Sequence, residues 1–355
     1  MILVVSNMYP SKKYPNYGVF VKNFVEQLQK TNEVKVITLY KQENMFLKFF
    51  CYLKFYLKVF FACISKKYTL TYVHYAGYNS PPLILGKIFN KKMKLIVNVH
   101  GSDVTPEKKL EERTNFLTGI LLKKSDLVVV PSEYFESLVK KKYGVDNLFI
   151  SPSAGINLSL FHRNTKIMRE KNAFKLGYVS RIDAEKGWDI LLLAFKDLLD
   201  EFPNMKLIMV GGGKQEAAAI QMIDNLELKN EVTKIHMLCQ KDLVDIYSSI
   251  DIFIFPSVRA GESLGLVGLE AMACGTPVIG SDFGGIRTYV KNGENGYLYD
   301  PNNLNELKEA IKKYYFLNSF EKQKMKTKAL ETAKTYDSVE VNKKLIKKIN
   351  EVIVG

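Results

Sequence analysis

The segment PSVRAGESLGLVGLEAMACGTPVI, residues 256–279, follows the apolar run Ile252–Phe255 and leads into a second apolar run that opens at Pro277. It reads as a strand ending at Ser257, a glycine-bearing loop, a helix from about Leu264 to Gly275, and a further strand over 277–280. That is one βαβ crossover of a parallel sheet. Glu262 stands just before the helix and Glu270 two turns into it, with seven residues between them. Amides at a helix start lack partners one turn earlier and can hold phosphate oxygens. Carboxylates beside a phosphate repel it unless they serve hydroxyl groups, so Glu262 and Glu270 suit the hydroxyls of a sugar and a ribose.

The same alternation extends in both directions. Candidate strands in the first half are residues 2–6, 34–39, 70–74, 95–100, 127–130 and 148–151; in the second half they are 174–179, 205–210, 232–238, 252–255 and 277–280. Helix-length segments separate them, which is the pattern of two parallel α/β domains. With 355 residues the chain has room for two cores. The polar, basic stretch 162–172 marks the boundary, giving a first domain over 1–162, a second over 173–335 and a terminal helix over 336–355. That helix places Val339, Leu345, Ile349 and Ile353 on one face.

Composition excludes some classes. Apolar residues make up 47% and charged residues 25%, as in globular proteins and unlike disordered ones. The net charge of +14 is uneven: residues 1–160 hold 23 Lys and Arg against 11 Asp and Glu, whereas 161–355 hold 28 against 26. The asymmetry points to an anionic partner of the first half. No nucleic-acid module is recognisable and the second half is nearly neutral, so a membrane surface is expected and nucleic acid is not. Cys51, Cys63, Cys239 and Cys274 are far apart and have no metal-ligand spacing, which suits reduced thiols in a cytoplasm. The start, Met1 to Ser6, reads as a strand and not as a secretory leader.

The segment MFLKFFCYLKFYLKVFFACISKK, from Met45 to Lys67, is aromatic and basic, and residues 44–102 hold nine Lys and no Asp or Glu. Lys48, Lys54 and Lys58 would each cost about 2.5–3.5 kcal/mol near a bilayer centre, so it does not span. A crossover helix is needed between its flanking strands, and its outer face suits an anionic membrane interface.

Ligands of parallel sheets bind beyond the carboxyl ends of strands. The loop after the first strand has no G-x-G-x-x-G, which excludes a dinucleotide fingerprint, but it offers Gly18 at a helix start. In the second half, Arg181 follows a strand and Lys186 precedes a helix, two cations placed for a diphosphate. Gly211, Gly212 and Gly213 form a tight turn after the next strand.

These residues carry a family resemblance. Gly18, the turn His100-Gly101-Ser102-Asp103, Ser180-Arg181 with Lys186-Gly187, the Glu262 and Glu270 pair followed by Ala-Met-Ala-Cys-Gly-Thr-Pro-Val, Ser281 to Gly285, and Asn295-Gly296 resemble the retaining glycosyltransferases of family 4, glycosyltransferase group 1. The resemblance covers nearly the whole chain and implies the α/β GT-B fold, two Rossmann-like domains with parallel sheets facing across a cleft and a last helix returning to the first domain. It implies that Arg181 and Lys186 bind the donor diphosphate, aided by Gly18 and by amides at Gly265, Leu266 and Val267. It assigns Glu270 to the ribose, Glu262 to the donor sugar, and His100 to the sugar near its reacting carbon. An aromatic residue often stands where this chain has Leu264, a mild departure.

The expected reaction moves a sugar from a nucleotide-sugar donor, UDP-linked in preference to GDP-linked, to a lipid-linked or glycan acceptor in cell-surface polysaccharide or glycolipid assembly. No metal and no cofactor are implied. The expected location is the inner face of the cell membrane. A nucleotide-sugar 2-epimerase of similar fold and a non-catalytic homologue are the alternatives.

Overall fold

Apolar runs form the strands, and where both faces of a sheet are covered by helices such runs need not alternate with polar residues. The computed structural model describes residues 1–15, 17–167 and 172–355. The chain divides into one unit of Met1–Ala154 with Val339–Gly355 and another of Gly155–Ser338.

In the first unit β1 (Ile2–Ser6), α1 (Val19–Leu28), β2 (Val34–Thr38), α2 (Met45–Ile64), β3 (Leu70–His74), α3 (Ser80–Phe89), β4 (Leu95–Asn98), α4 (Lys109–Lys124), β5 (Leu127–Val130), α5 (Glu133–Tyr143) and β6 (Leu148–Ile150) follow in order. The strands make a parallel sheet ordered β2-β1-β3-β4-β5-β6. In the second unit come β7 (Phe174–Val179), α6 (Trp188–Leu199), β8 (Met205–Val210), α7 (Glu216–Asn225), β9 (Val232–Ile235), α8 (Gln240–Ser249), β10 (Ile252–Phe255), α9 (Leu266–Ala273), β11 (Val278–Ser281), β12 (Gly296–Tyr299), α10 (Leu304–Phe316) and α11 (Ser319–Lys334). Its sheet, also parallel, is ordered β12-β11-β10-β7-β8-β9. The last helix, α12 (Ser338–Val354), packs Leu345 and Ile349 against Ile2, Val4, Leu70 and Ile96 of the first sheet.

Each sheet therefore has a switch point, where successive connections turn to opposite sides: between β1 and β3 in the first unit, and between β7 and β10 in the second. Crevices form there, at the carboxyl ends of the strands.

The structure departs from the sequence pattern in places. The units part at Ala154 and Gly155, not at 162–172. Ile156 already belongs to the second unit, its amide donating to Tyr336 O at 2.8 Å. In the stretch expected as a linker, Asn164 N donates to Ser248 Oγ at 3.0 Å and Asn164 Nδ2 to Asp245 Oδ1 at 2.7 Å, so polar residues there anchor to α8. Residues 168–171 of that stretch lie outside the described residues. β4 stops at Asn98, not His100, because the Asp103 carboxylate takes the His100 and Gly101 amides. β12 is a strand the pattern does not announce, four residues with two only part-buried. On α12 the buried residues are Val341, Leu345 and Ile349, while Val339 is exposed.

The aromatic segment is a helix with two very different faces. Asn44 caps α2 by accepting from the Phe46 and Leu47 amides. Only Phe55, Val59 and Cys63 are buried, four residues apart, and Gly86 on α3 leaves room for Cys63. Met45, Phe46, Leu47, Phe49, Phe50, Leu53, Leu57 and Phe61 are exposed, as are Leu85, Ile88 and Phe89 on the adjoining α3. Lys48, Lys54 and Lys58 are exposed among them. No described helix is long and apolar enough to cross a membrane.

The seat of α12 can be checked by unfolding. Leu345→Ala and Ile349→Ala should each destabilise the first unit by about 2–5 kcal/mol in urea titrations, whereas Lys344→Ala on the exposed face should change it by less than about 0.5 kcal/mol.

Candidate functional site

At the switch point of the second unit two loops come together, one leaving β7 and one leaving β10. The first ends in Gly187, which caps α6 in the left-handed region at φ 67°. A Cβ there would stand 2.2 Å from the carbonyl oxygen of Pro256, so only glycine lets the two backbones meet. The preceding Glu185 also has a positive φ of 63°, a strained conformation for a side-chain-bearing residue. The loops are further tied by the Val258 amide, which donates to Glu185 O at 2.9 Å.

That approach places Lys186 against Glu262. Lys186 is buried, and its ammonium pairs with Glu262 Oε2, which also lies 3.3 Å from Ser257 Oγ. A buried charge needs such a partner, since removing one member leaves the other desolvated and uncompensated. Arg181 is mostly exposed, and its Nη1 sits 2.6 Å from Asp183 Oδ2. Asp183 is itself fixed by the Lys214 amide at 2.9 Å. Both cations are thus held by carboxylates of their own neighbourhood.

Beyond Glu262, Gly265 caps α9 and leaves its first amides, those of Leu266 and Val267, without a carbonyl one turn earlier. The helix starts at Leu266, two residues later than the sequence pattern suggested, and Leu264 is wholly buried before it. Tyr289 OH donates to Gly265 O at 2.8 Å and steadies the cap. One turn on, Glu270 is buried and accepts from Tyr247 OH at 3.0 Å. Burial pushes its carboxyl up to about 7, against the smaller opposing effect of the Tyr247 hydrogen bond. At neutral pH it is therefore part-protonated.

Gly18 and His100 belong to the first unit. Gly18 caps α1 at φ 78°, and a Cβ would meet Met8 backbone at 2.7 Å. His100 stacks on Tyr75 with ring centroids 4.7 Å apart and lies 4.7 Å from Phe20, two residues after Gly18. The two expected residues thus sit at the same end of the first sheet. Enclosure lowers the His100 pKa to about 3, so its ring is neutral. Its Nε2 lies 3.0 Å from Nδ1 of His74, whose own Nε2 is buried without a partner. Among the described residues no group of three His, Cys, Asp or Glu side chains is placed to hold a metal.

Four residues of these sites were not singled out by the sequence. Asp183 orients Arg181, Tyr247 holds Glu270, Tyr289 steadies the α9 cap and His74 holds His100. Only His74 carries a local signal, an ionisable residue closing a strand that is buried throughout.

Glu270 should leave a mark on stability. Its folded pKa exceeds the ordinary carboxylate value of 4.5, so the native state binds the extra proton and stability falls as pH rises from about 4.5 to about 7. Glu270→Gln keeps a group for Tyr247 without the charge. It should equal the parent near pH 4, flatten the fall, and be more stable above pH 8 by roughly 3 kcal/mol. Urea titrations across that range check it.

Comparison with known proteins follows the same division. Residues 163–332 match the model of the family Glycosyl transferases group 1. An uncharacterized glycosyltransferase of Methanocaldococcus jannaschii is 30% identical over 253 residues, 70% of this chain and 65% of its own length. A D-inositol 3-phosphate glycosyltransferase of Corynebacterium jeikeium is 34% identical over 145 residues, 39% of this chain and 34% of its own length. The chain thus spans less than two thirds of either relative. Sucrose-phosphate synthase from Thermosynechococcus elongatus superposes with a TM-score of 0.81 at 19% identity, covering 100% of this chain and 99% of that one. Anabaena HepE, in complex with UDP-glucose, gives 0.76 at 19% identity over 99% and 100%. Residues 163–332 are accordingly similar to the glycosyl transferases group 1 family, and the chain's two six-stranded parallel sheets have the GT-B fold.

Proposed function

We propose that the chain is a retaining glycosyltransferase that takes a sugar from a nucleotide-sugar donor, UDP-linked in preference to GDP-linked. The observation that carries this reading is the buried Lys186 and Glu262 pair at the second switch point, with Arg181 beside it and the α9 amides and Glu270 beyond. Arg181, Lys186 and the amides at Gly265, Leu266 and Val267 take the diphosphate and stabilise the charge that grows on it as the sugar leaves. Glu262 takes sugar hydroxyls and Glu270 the ribose. On the first unit, Gly18 offers backbone amides to phosphate and His100 a neutral ring to the sugar. Charge compensation rests on the two cations, so the reading calls for no metal and no cofactor. The UDP-glucose complex of the Anabaena relative supports the donor class.

The acceptor is proposed to be lipid-linked or a glycan, met at the inner face of the cell membrane in surface polysaccharide or glycolipid assembly. The support is the exposed face of α2 and α3, where Phe and Leu side chains stand among lysines, the composition of a helix that lies in an anionic interface. In flotation assays the parent should bind vesicles containing anionic lipid and not neutral ones. Replacing Phe46, Phe49 and Phe50 by Ser should abolish flotation; unchanged flotation, or equal binding to neutral vesicles, refutes the membrane role.

A screen of UDP-, GDP- and ADP-sugars tests the reaction. Arg181→Ala and Lys186→Ala should each lower turnover of the preferred donor by about a hundredfold or more. Parent-like turnover in both would refute the site, and an epimerised donor formed without acceptor would mark the epimerase instead. Glu270 adds a pH signature. If ribose hydroxyls donate to its carboxylate, UDP binding expels the proton held at a pKa of about 7. Below that pH, affinity should rise with pH by up to about tenfold per unit more in the parent than in Glu270→Gln. Matching profiles would remove Glu270 from the nucleoside site.

A further inference from the structure

His74 and His100 meet at the carboxyl ends of β3 and β4, and the fold fixes how they meet. The Asp103 carboxylate ties the two strand ends together: Oδ2 accepts the Ala76 amide, two residues after His74, and Oδ1 the His100 amide, each at 3.0 Å. Asn79 Nδ2 adds a bond to His74 O at 3.0 Å. The His74 ring is 2% exposed and lies against Phe24 and Tyr72, with ring centroids 4.8 and 5.1 Å away. The His100 ring is part-exposed and rests on Tyr75 and Phe20. The 3.0 Å between His74 Nδ1 and His100 Nε2 is therefore set by packed neighbours on both sides.

Burial keeps both rings neutral, with His74 held well below the ordinary histidine value and His100 at about 3. A hydrogen bond between two neutral imidazoles uses one proton, so one ring donates and the other accepts. If His100 donated from Nε2, His74 would carry its own proton on Nε2, which is buried and has no partner. If His74 donates from Nδ1, the atom left there is only a bare ring nitrogen. Orphaned buried N–H groups are the rarer kind, so His74 is the donor. His100 must then carry its single proton on Nδ1, because the bond made by one ring nitrogen decides the state of the other.

We propose that His74 is a positioning residue whose Nδ1–H locks His100 in the tautomer that presents Nδ1–H, so that His100 meets its ligand as a hydrogen-bond donor aimed at an oxygen. With Nε2 spent on His74 and Nδ1 protonated, neither nitrogen of His100 is free to take a proton, which removes it as a general base. That the ligand oxygen belongs to a donor sugar rests on the glycosyl-transfer reading above; the tautomer does not.

The test is long-range 1H–15N NMR on the full chain carrying ring-15N histidine. The sequence has four histidines, so four rings are seen, and His74→Phe and His100→Ala assign the two in question by loss of signal. At neutral pH the parent should show both rings with a protonated Nδ1 and a bare Nε2. A proton on His100 Nε2, or averaging between its two tautomers, overturns the proposal, and the parent spectrum decides this even if His74→Phe does not fold. In His74→Phe the His100 signals should move to the other tautomer or average; an unchanged Nδ1–H state would also overturn it. Turnover of the preferred sugar nucleotide separates positioning from mere support of the fold. His74→Phe should lower kcat by about tenfold with little change in KM. Added to His100→Ala, it should lower kcat further by no more than about twofold, since its effect passes through the missing ring. A full further loss in the double variant would show a structural role and refute positioning. The expected ring signals without turnover of any sugar nucleotide would sustain the tautomer and refute the transferase reading.

Discussion

The close approach of Gly187 to the Pro256 carbonyl is the constraint on which the second unit's site depends. It is a contact between backbones, 2.2 Å from where a Cβ would sit, and it closes the crevice between the loops that follow β7 and β10. Because the loops are joined at that point, Lys186 and Glu262 are buried next to each other instead of solvated apart. The pair is costly to assemble in a low dielectric, and the rest of the fold must hold it in place. The large apolar core on the α6 side, with Trp188, Leu191 and Leu192 directly after Gly187, gives that hold. On the proposed reading, the site for the donor diphosphate is thereby built before the donor arrives.

Much of this was legible in the sequence because the relevant signals are local. Runs such as Ile2–Ser6 and Ile252–Phe255 announce buried strands, and the intervals between them leave room for crossover helices, so the parallel α/β class follows from pattern alone. Arg181, Lys186, Glu262 and Glu270 stand at predictable places, after a strand or around a helix start. The missing pieces are those that depend on contacts distant in sequence. Tyr247 meets Glu270 from another helix and Asp183 is one of two acids in its loop, so neither has a sequence signature. The polar stretch 162–172 misled for a physical reason: polarity marks a linker only when the side chains face water, and Asn164 instead bonds to α8. β12 is short and half-covered, below what alternation can reveal.

The two units use the same topological device for opposite electrostatics. At the second switch point cations and helix amides gather, each cation held by a carboxylate, and on the proposed reading the donor diphosphate competes for both. Around the first, His100 is kept uncharged by burial beside Tyr75 and Phe20, and the Asp103 carboxylate accepts the amides of Ala76, His100 and Gly101.

The excess positive charge of residues 1–160 is carried on the surface, away from His100 and Asp103. Its lysines lie elsewhere: Lys48, Lys54 and Lys58 on α2, Lys91 and Lys92 after α3, and Lys140 and Lys141 on α5, all exposed. Charge that stays on the surface sets the potential felt by a large anionic partner, within about 8 Å at physiological salt. In water the exposed Phe and Leu side chains of α2 carry a solvation cost, which burial in the proposed membrane interface would relieve. Basic charge and exposed apolar area on α2 therefore argue for the same proposed partner, an anionic membrane surface.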